Sequence, residues 1–354
     1  MTTELEHVDP RNPDARVIAR AAACLRRGGL VAFPTETVYG LGVDALDRDA
    51  VRRLFEAKGR PSNDPLIVHV SSIEEAGALV IAVPAIARAL AARFWPGPLT
   101  LVLPRSSLVP DEVTAGLETV AIRVPSHPVA RAIIAAAGRP IAAPSANLFS
   151  RPSPTQGAHV LDDLGGRIEM IVDGGPTEVG VESTVLDLSR NNPIVLRPGA
   201  VTLEMLRPYV PGVRYRTGPT DDEVAQTSPG MLSKHYAPRA PLTLFSGDPL
   251  AVREAMVTMA HALAAAGQRV GVMATAADAR ALGEIGVVLA LVSGDAGAEE
   301  TMVAVASRLY AALRELDTAR VDVILACEPA GADGLGGAIR DRLRRAAAHV
   351  VRVG

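Results

Sequence analysis

Eight short stretches of the chain set cations and small hydroxyls at places where packing alone does not call for them. "EAKGRP" puts Lys58 and Arg60 on either side of a glycine that frees them from helical geometry, so both can point into one loop. "FPTETVYGLG" leaves an apolar run with Thr35 and Thr37, and "PSAN" leaves another with Ser145 and Asn147. "AIRVP" places Arg123 inside an apolar strand pattern, and a charge there is costly to bury unless it is paired. "VLRPG" adds Arg197, "GVESTVLDL" adds Glu182, Ser183 and Thr184, "LIVHV" adds His69, and "SKHYAP" adds a Lys, a His and a Tyr in a polar segment. Each has a plainer reading as well. Cations at a helix C-terminus complement its dipole by ~0.3–1 kcal/mol; Arg123 fits an edge strand facing water, and a lone His69 fits a core or surface histidine. Taken together, Lys58, Arg60, Arg123 and Arg197 with several hydroxyls describe a cleft suited to a polyphosphate and a carboxylate.

The elements that would hold these groups fall into two regimes. Up to about residue 210, apolar runs predict strands at 29–34, 65–70, 99–104, 119–125, 140–144, 168–173, 183–189 and 193–199. Helices are predicted at "DRDAVRRLFEAKGRP", stopped by Gly59 and Pro61, at "AIARALAARFW" and at "PVARAIIAAAG". Many strands with few crossover helices predict a mixed, twisted sheet with helices on its faces. Residues 211–240 are rich in Pro, Gly and charge, and read as a linker between a domain of 1–210 and a domain of 241–354. The last segment alternates strand and helix, with helices at 249–266, 298–316 and 335–347 and a short one after "RVGVMA", which predicts a smaller, Rossmann-like parallel α/β domain.

Composition narrows the classes. At 354 residues the chain exceeds a single core, 48% hydrophobic and 21% charged residues suit a globular protein, and a net charge of −3 argues against coating nucleic acid by bulk electrostatics. Cys24 and Cys327 match no disulfide or zinc spacing. A polar N-terminus and the lack of any apolar run of ~18 residues predict a cytoplasmic protein with no membrane contact. The chain has no GxxxxGK[ST], HExxH or GxSxG; "GADGLGGAIRDRL" lacks the GxGxxG order and reads as a strand-to-helix connection.

"FPTETVYGLG", "KGRPSNDPLIVHV", "WPGPLTLVL", "VAIRVPSHPVARAI", "PIAAPSANLFSRPSPT", "VESTVLDL", "LRPGA" and "SPGMLSKHYAP", in this order over about residues 15–240, resemble the L-threonylcarbamoyladenylate synthases. The resemblance is to their long form, which joins a YrdC-like domain to a C-terminal accessory domain. It implies condensation of L-threonine, bicarbonate or CO2, and ATP to threonylcarbamoyl-AMP and pyrophosphate. It also implies delivery of that adenylate to a downstream transferase that modifies tRNA beside the anticodon. By the same resemblance Thr35, His69, Arg123, Ala143 and Ser183 would contact threonine. Lys58, Arg60, Ser62, Thr119, Ser145, Asn147, Ser153, Arg197 and Tyr236 would hold ATP, with Mg2+ bound mainly through its phosphates. Lys58, Arg60, Ser145 and Asn147 would be the catalytic set, and Tyr236 would close over the nucleotide.

Two rivals stand beside this. Hydrogenase-maturation proteins contain a similar domain, but also zinc-finger segments whose cysteine clusters are missing here. A non-catalytic YrdC-like RNA-binding module is disfavoured by the acidity and by the lack of stacking aromatics, which leaves room only for weak tRNA contact.

Overall fold

The computed structural model describes residues 2–218, 224–226, 228, 230, 235–274, 287–291, 298–329 and 334–354. By its internal contacts the chain forms two units, Met1–Phe149 with Ser153–Ser233, and Ser150–Pro152 with Lys234–Gly354.

The first unit contains strands β1 (Glu4–His7), β2 (Val31–Pro34), β3 (Tyr39–Asp44), β4 (Ile67–His69), β5 (Leu99–Pro104), β6 (Thr119–Arg123), β7 (Ile141–Ala142), β8 (Met170–Asp173), β9 (Thr184–Asp187), β10 (Ile194–Arg197) and β11 (Arg214–Tyr215). Its helices are α1 (Ala15–Arg26), α2 (Arg48–Lys58), α3 (Ile73–Leu79), α4 (Ala85–Phe94), α5 (Asp111–Thr114), α6 (Pro128–Ala137), α7 (Gly157–Leu164) and α8 (Leu203–Leu206). The strands make one eleven-stranded sheet in the order β1-β8-β2-β3-β7-β4-β6-β5-β9-β10-β11. Parallel pairs such as β4·β6 and β5·β9 alternate with antiparallel ones such as β5·β6 and β9·β10, the mixed sheet that the pattern predicts.

Local sequence explains the helices. The Asp47 carboxylate caps α2 by accepting from the amides of Asp49 and Ala50, and Gly59 ends it in the left-handed region at φ 62°, which costs glycine nothing. Helix α1 carries Val17, Ile18, Ala21, Ala22 and Leu25 on one face, and α6 carries Val129, Ile133, Ile134 and Ala137; both bury these against Val31, Phe33, Ile141, Met170 and Val172 of the sheet. Each fully buried Leu, Ile or Phe there contributes ~1.5–3 kcal/mol by leaving water. Strand β3 was hidden in the sequence by its glycines. Gly42 has to lack a side chain, because a Cβ would lie 2.6 Å from the Phe33 ring that crosses it.

Strand alternation divides the middle of the sheet into two faces. Val68, Ile122, Leu101, Leu103 and Leu186 point into the main core. On the other face the register sets Ile67 beside Ala121, His69 beside Arg123, Val102 beside Ala121, and Thr100 beside Val185. Its apolar members, Ile67, Val102, Ala121, Val185 and Leu196, form a small cluster separate from the main core. Its polar members form the candidate site.

Of the segment 211–240, the described residues show β11 pairing with β10, and the Gln226 amide donating 3.0 Å to the Asn63 carbonyl; residues 219–223, 227, 229 and 231–234 lie outside the described set.

The second unit is a five-stranded, fully parallel sheet in the order β14-β13-β15-β12-β16. Its strands are β12 (Leu242–Gly247), β13 (Val270–Ala274), β14 (Val287–Ala290), β15 (Val323–Cys327) and β16 (His349–Val353), with helices α9 (Pro249–Ala265), α10 (Ala298–Thr318) and α11 (Gly334–Ala346). Strand β16 was not predicted. It occupies a sheet edge, with Val351 and Val353 half-buried and His349, Val350 and Arg352 exposed. The short helix predicted after β13 and the loop before Gly334 lie outside the described residues.

Candidate active site

The "PTET" segment turns between β2 and β3 with Thr35, Glu36 and Thr37 all buried. The Thr35 hydroxyl donates 2.6 Å to the Val38 carbonyl and lies 2.8 Å from that of Thr37, while the amides of Thr37 and Val38 donate to Thr35 Oγ1. This closed turn presents Thr37 and Glu36 to the end of β6. Arg123 donates from Nη1 to Thr37 Oγ1 (3.0 Å) and from Nε to the Gly97 carbonyl (3.2 Å), and its Nη2 lies 2.7 Å from Glu36 Oε1. The other Glu36 oxygen accepts from the Ser126 amide at 3.1 Å. Arg123 is thus a buried residue on an interior strand, not an edge residue facing water, and its counter-ion is internal.

His69 stands beside Arg123 in the register. Burial, reinforced by the Arg123 charge, pushes its pKa down to about 3, so the ring is neutral at physiological pH. Ala143 is buried next to it, its amide donating 2.9 Å to the Ile67 carbonyl.

The nucleotide-binding candidates lie on flanking loops. Lys58, the last residue of α2, is buried, and its ammonium donates to the Ser145 carbonyl at 2.5 Å and to the Asn147 carbonyl. It therefore ties the "KGR" loop to the "SAN" loop, with the Phe149 amide returning 2.9 Å to the Lys58 carbonyl. Asn147 donates from its side chain to the Leu148 carbonyl at 2.6 Å, and Ser145 is half-buried with its backbone bridged to Gly40. Arg60 donates to the carbonyls of Asp64 (3.0 Å) and Pro65 (2.8 Å) and pairs with the Asp64 carboxylate at 2.9 Å; both side chains are almost fully buried. Burial pushes the Asp64 pKa up, opposed by the positive charges of Arg60, Lys58 and Arg197, so these three cations share one electrostatic neighbourhood. Ser62 is exposed in the turn between them.

Arg197, the last residue of β10, donates to the Ser183 carbonyl and hydroxyl, each at 3.1 Å, and Ser183 Oγ lies 2.8 Å from Thr100 Oγ1. Ser153 donates 2.5 Å to Glu182. Thr119 begins β6 at the opposite end from Arg123, but on the same face, about 13 Å away for four residues of strand. Tyr236 belongs to the second unit, where its buried ring lies 5.5 Å from Tyr310 and 5.4 Å from the Arg342 guanidinium.

The fold therefore brings Thr35, His69, Arg123, Ala143, Thr119, Ser183 and Arg197 to one side of the sheet, and ties the Lys58 and Ser145–Asn147 loops together beside it. Sequence reasoning missed Asp64, Glu36 and Thr100. Asp64 follows Arg60 by four residues, a spacing that could have signalled the pair; Glu36 between two threonines was a weaker hint, and Thr100 gave none.

A family profile described as "Telomere recombination" (Sua5_yciO_yrdC) matches residues 23–199, and one described as "Threonylcarbamoyl-AMP synthase, C-terminal domain" matches residues 201–348. A threonylcarbamoyl-AMP synthase of Bacillus subtilis is 47% identical over 98% of this chain and 96% of its own length, and one of Pyrococcus abyssi is 45% identical over 93% of each. The crystal structure of P. abyssi Sua5 complexed with L-threonine superposes with a TM-score of 0.91 at 42% identity, covering 99% of this chain and all of that one. The shared sequence spans both units and every stretch from which the site is built, and the chain belongs to the two-domain Sua5 family of threonylcarbamoyl-AMP synthases.

Proposed function

We propose that the chain condenses L-threonine, bicarbonate or CO2, and ATP into L-threonylcarbamoyladenylate and pyrophosphate, for threonylcarbamoyladenosine modification of tRNA beside the anticodon. The observation that carries this reading is the convergence on one sheet face of a buried arginine beside threonine hydroxyls, and a second group of three cations at the loops next to it. The relatives' shared name and the L-threonine complex of P. abyssi Sua5 support it.

In this reading Arg123, Thr35, His69, Ala143 and Ser183 bind threonine, with the carboxylate on the guanidinium. Lys58, Arg60, Ser62, Thr119, Ser145, Asn147, Ser153 and Arg197 bind ATP. The neutral amine of threonine takes up CO2 and loses a proton to become a carbamate. A carbamate oxygen then attacks the α-phosphorus in line as pyrophosphate leaves. The chain needs no nucleophile of its own: it holds two anions in line and offsets charge that builds on the phosphates. The buried, neutral His69 keeps this wall of the pocket free of a titrating charge.

Among the described residues no group of three or more His, Cys, Asp or Glu could hold a metal ion. The donors at hand, a Ser145 hydroxyl and an Asn147 amide, fit Mg2+ that arrives on triphosphate oxygens and keeps most of its water, and these two residues would hold it. Bound there, Mg2+ would neutralise phosphate charge.

The proposal also assigns residues 1–210 to catalysis, 211–240 to a linker, and 241–354 to an accessory role. No helix among the described residues is long and apolar enough to cross a membrane, which agrees with a cytoplasmic enzyme that hands its product to a downstream transferase and touches tRNA at most weakly.

Pyrophosphate release tests the reading: the purified chain with ATP and Mg2+ should release it only when both threonine and bicarbonate are added, and Lys58→Ala should abolish it. Release without threonine would point to another acceptor. A salt-sensitive tRNA gel shift with no turnover would favour the non-catalytic module.

A further inference from the structure

Arg123 does not wait for substrate as a bare cation. Of the five N–H groups of a guanidinium, one on Nε and one on Nη1 are committed, to the Gly97 carbonyl and to Thr37 Oγ1. Nη2 stands in an ion pair with Glu36 at 2.7 Å, so N–H groups on both Nη1 and Nη2 are left for a ligand. Glu36 is itself fixed, since its Oε2 accepts from the Ser126 amide and its side chain is only 5% exposed. Among the described residues no donor makes a hydrogen bond to Glu36 Oε1, despite its burial and the nearness of Nη2. A buried carboxylate oxygen with charge beside it and no N–H directed at it is an acceptor with capacity for a further donor.

We infer that Glu36 is a specificity-determining residue that makes the pocket select a zwitterion over a simple anion. The inference rests on the synthase reading, in which the threonine carboxylate takes the remaining Arg123 N–H groups. An α-amino group sits one carbon from its carboxylate. A ligand seated on Nη1 and Nη2 therefore carries its nitrogen to the carboxylate that shares Nη2, where Glu36 Oε1 accepts from it.

Charge balance points the same way. Arg123 and Glu36 together are neutral, so a ligand with only a carboxylate adds an uncompensated negative charge to a buried site, whereas an amino acid brings both signs to a pair that presents both. Glu36 also keeps Arg123 paired when the pocket is empty, which holds the guanidinium in its binding orientation.

The test compares L-threonine with 3-hydroxybutyrate, the same carbon skeleton without the α-amino group, by calorimetric titration of the full chain. Wild type should prefer threonine by about 10- to 100-fold or more, the worth of a hydrogen bond to a charged group. Glu36→Gln keeps the shape and the contact with the Ser126 amide but removes the charge; it should narrow that preference at least about tenfold, chiefly because 3-hydroxybutyrate binds better. An unchanged ratio in the variant overturns the inference. Equal binding of the two ligands by wild type overturns it too, and this measurement stands even if the variant fails to fold. Threonine-dependent pyrophosphate release by wild type is read separately: its absence strikes the synthase reading, while a preference that narrows on Glu36→Gln still upholds the selection of a zwitterion.

Discussion

The Arg60–Asp64 pair offers a quantitative test of how this site is held together. Both side chains are almost fully buried, at 3% and 0% exposure, and their charged atoms lie 2.9 Å apart. With an effective dielectric of about 20, opposite charges at that distance attract by roughly 6 kcal/mol, much of which offsets the cost of taking both from water. Asp64→Asn keeps the volume and the main-chain carbonyls that Arg60 also uses, but removes the negative charge beside a buried cation. The expected loss is about 3–5 kcal/mol of folding free energy. The fluorescence of Trp95, the single tryptophan, reports unfolding of the first unit, so urea denaturation of the full chain followed at this residue is the assay. With a urea slope of about 2–3 kcal/mol per molar, the midpoint should fall by roughly 1–2 M. ATP should then stabilise the variant more than wild type, because its phosphates replace the missing negative charge. A midpoint shift below about 0.3 M, or equal stabilisation by ATP, would refute the reasoning.

Four further outcomes are expected. His69 has a folded pKa of about 3 against 6.5 unfolded, so below pH 6.5 the unfolded chain binds a proton that the folded one refuses, and stability falls with pH; at pH 5 the loss is about 2 kcal/mol, and His69→Gln should flatten denaturation curves between pH 7 and 5 by that amount. Lys58→Met takes the ammonium from two loop carbonyls, each worth about 1–3 kcal/mol, and should lower pyrophosphate release at least about 100-fold in a steady-state assay. Gly59→Ala adds a Cβ that meets nothing within 4 Å, so it should cost only the left-handed strain at φ 62°, about 1–2 kcal/mol in a thermal melt. Arg123→Lys loses the fork that spans Gly97 and Thr37, and the KM for threonine should rise about tenfold or more while that for ATP stays within twofold.

Much of the framework was written in local sequence. The capped helix α2 with its glycine stop, the apolar strands and the strict alternation of the second unit are periodic signals carried by neighbouring residues, and so were the cation and hydroxyl motifs on the loops. Helix α1 escaped although its Asp14 cap and its apolar face of Val17, Ile18, Ala21 and Leu25 are local signals; the strands that escaped draw their stabilisation from elsewhere in the chain. Strand β1, "ELEH", has no apolar run and exists because β8 offers it a parallel partner; β3, "YGLGVD", carries two glycines where an apolar run would mark a strand, and Phe33 lies across Gly42. The same divide runs through the site. The sequence by itself determined which residue types could bind a polyphosphate and a carboxylate, and that Arg123 needed an anion. Only the tertiary structure decided that this anion is Glu36, 87 positions away, and that Lys58 spends its donors on the Ser145 and Asn147 carbonyls. Side-chain identity and periodicity are local properties, whereas a buried charge finds its partner through sheet order and register, which depend on every strand between them.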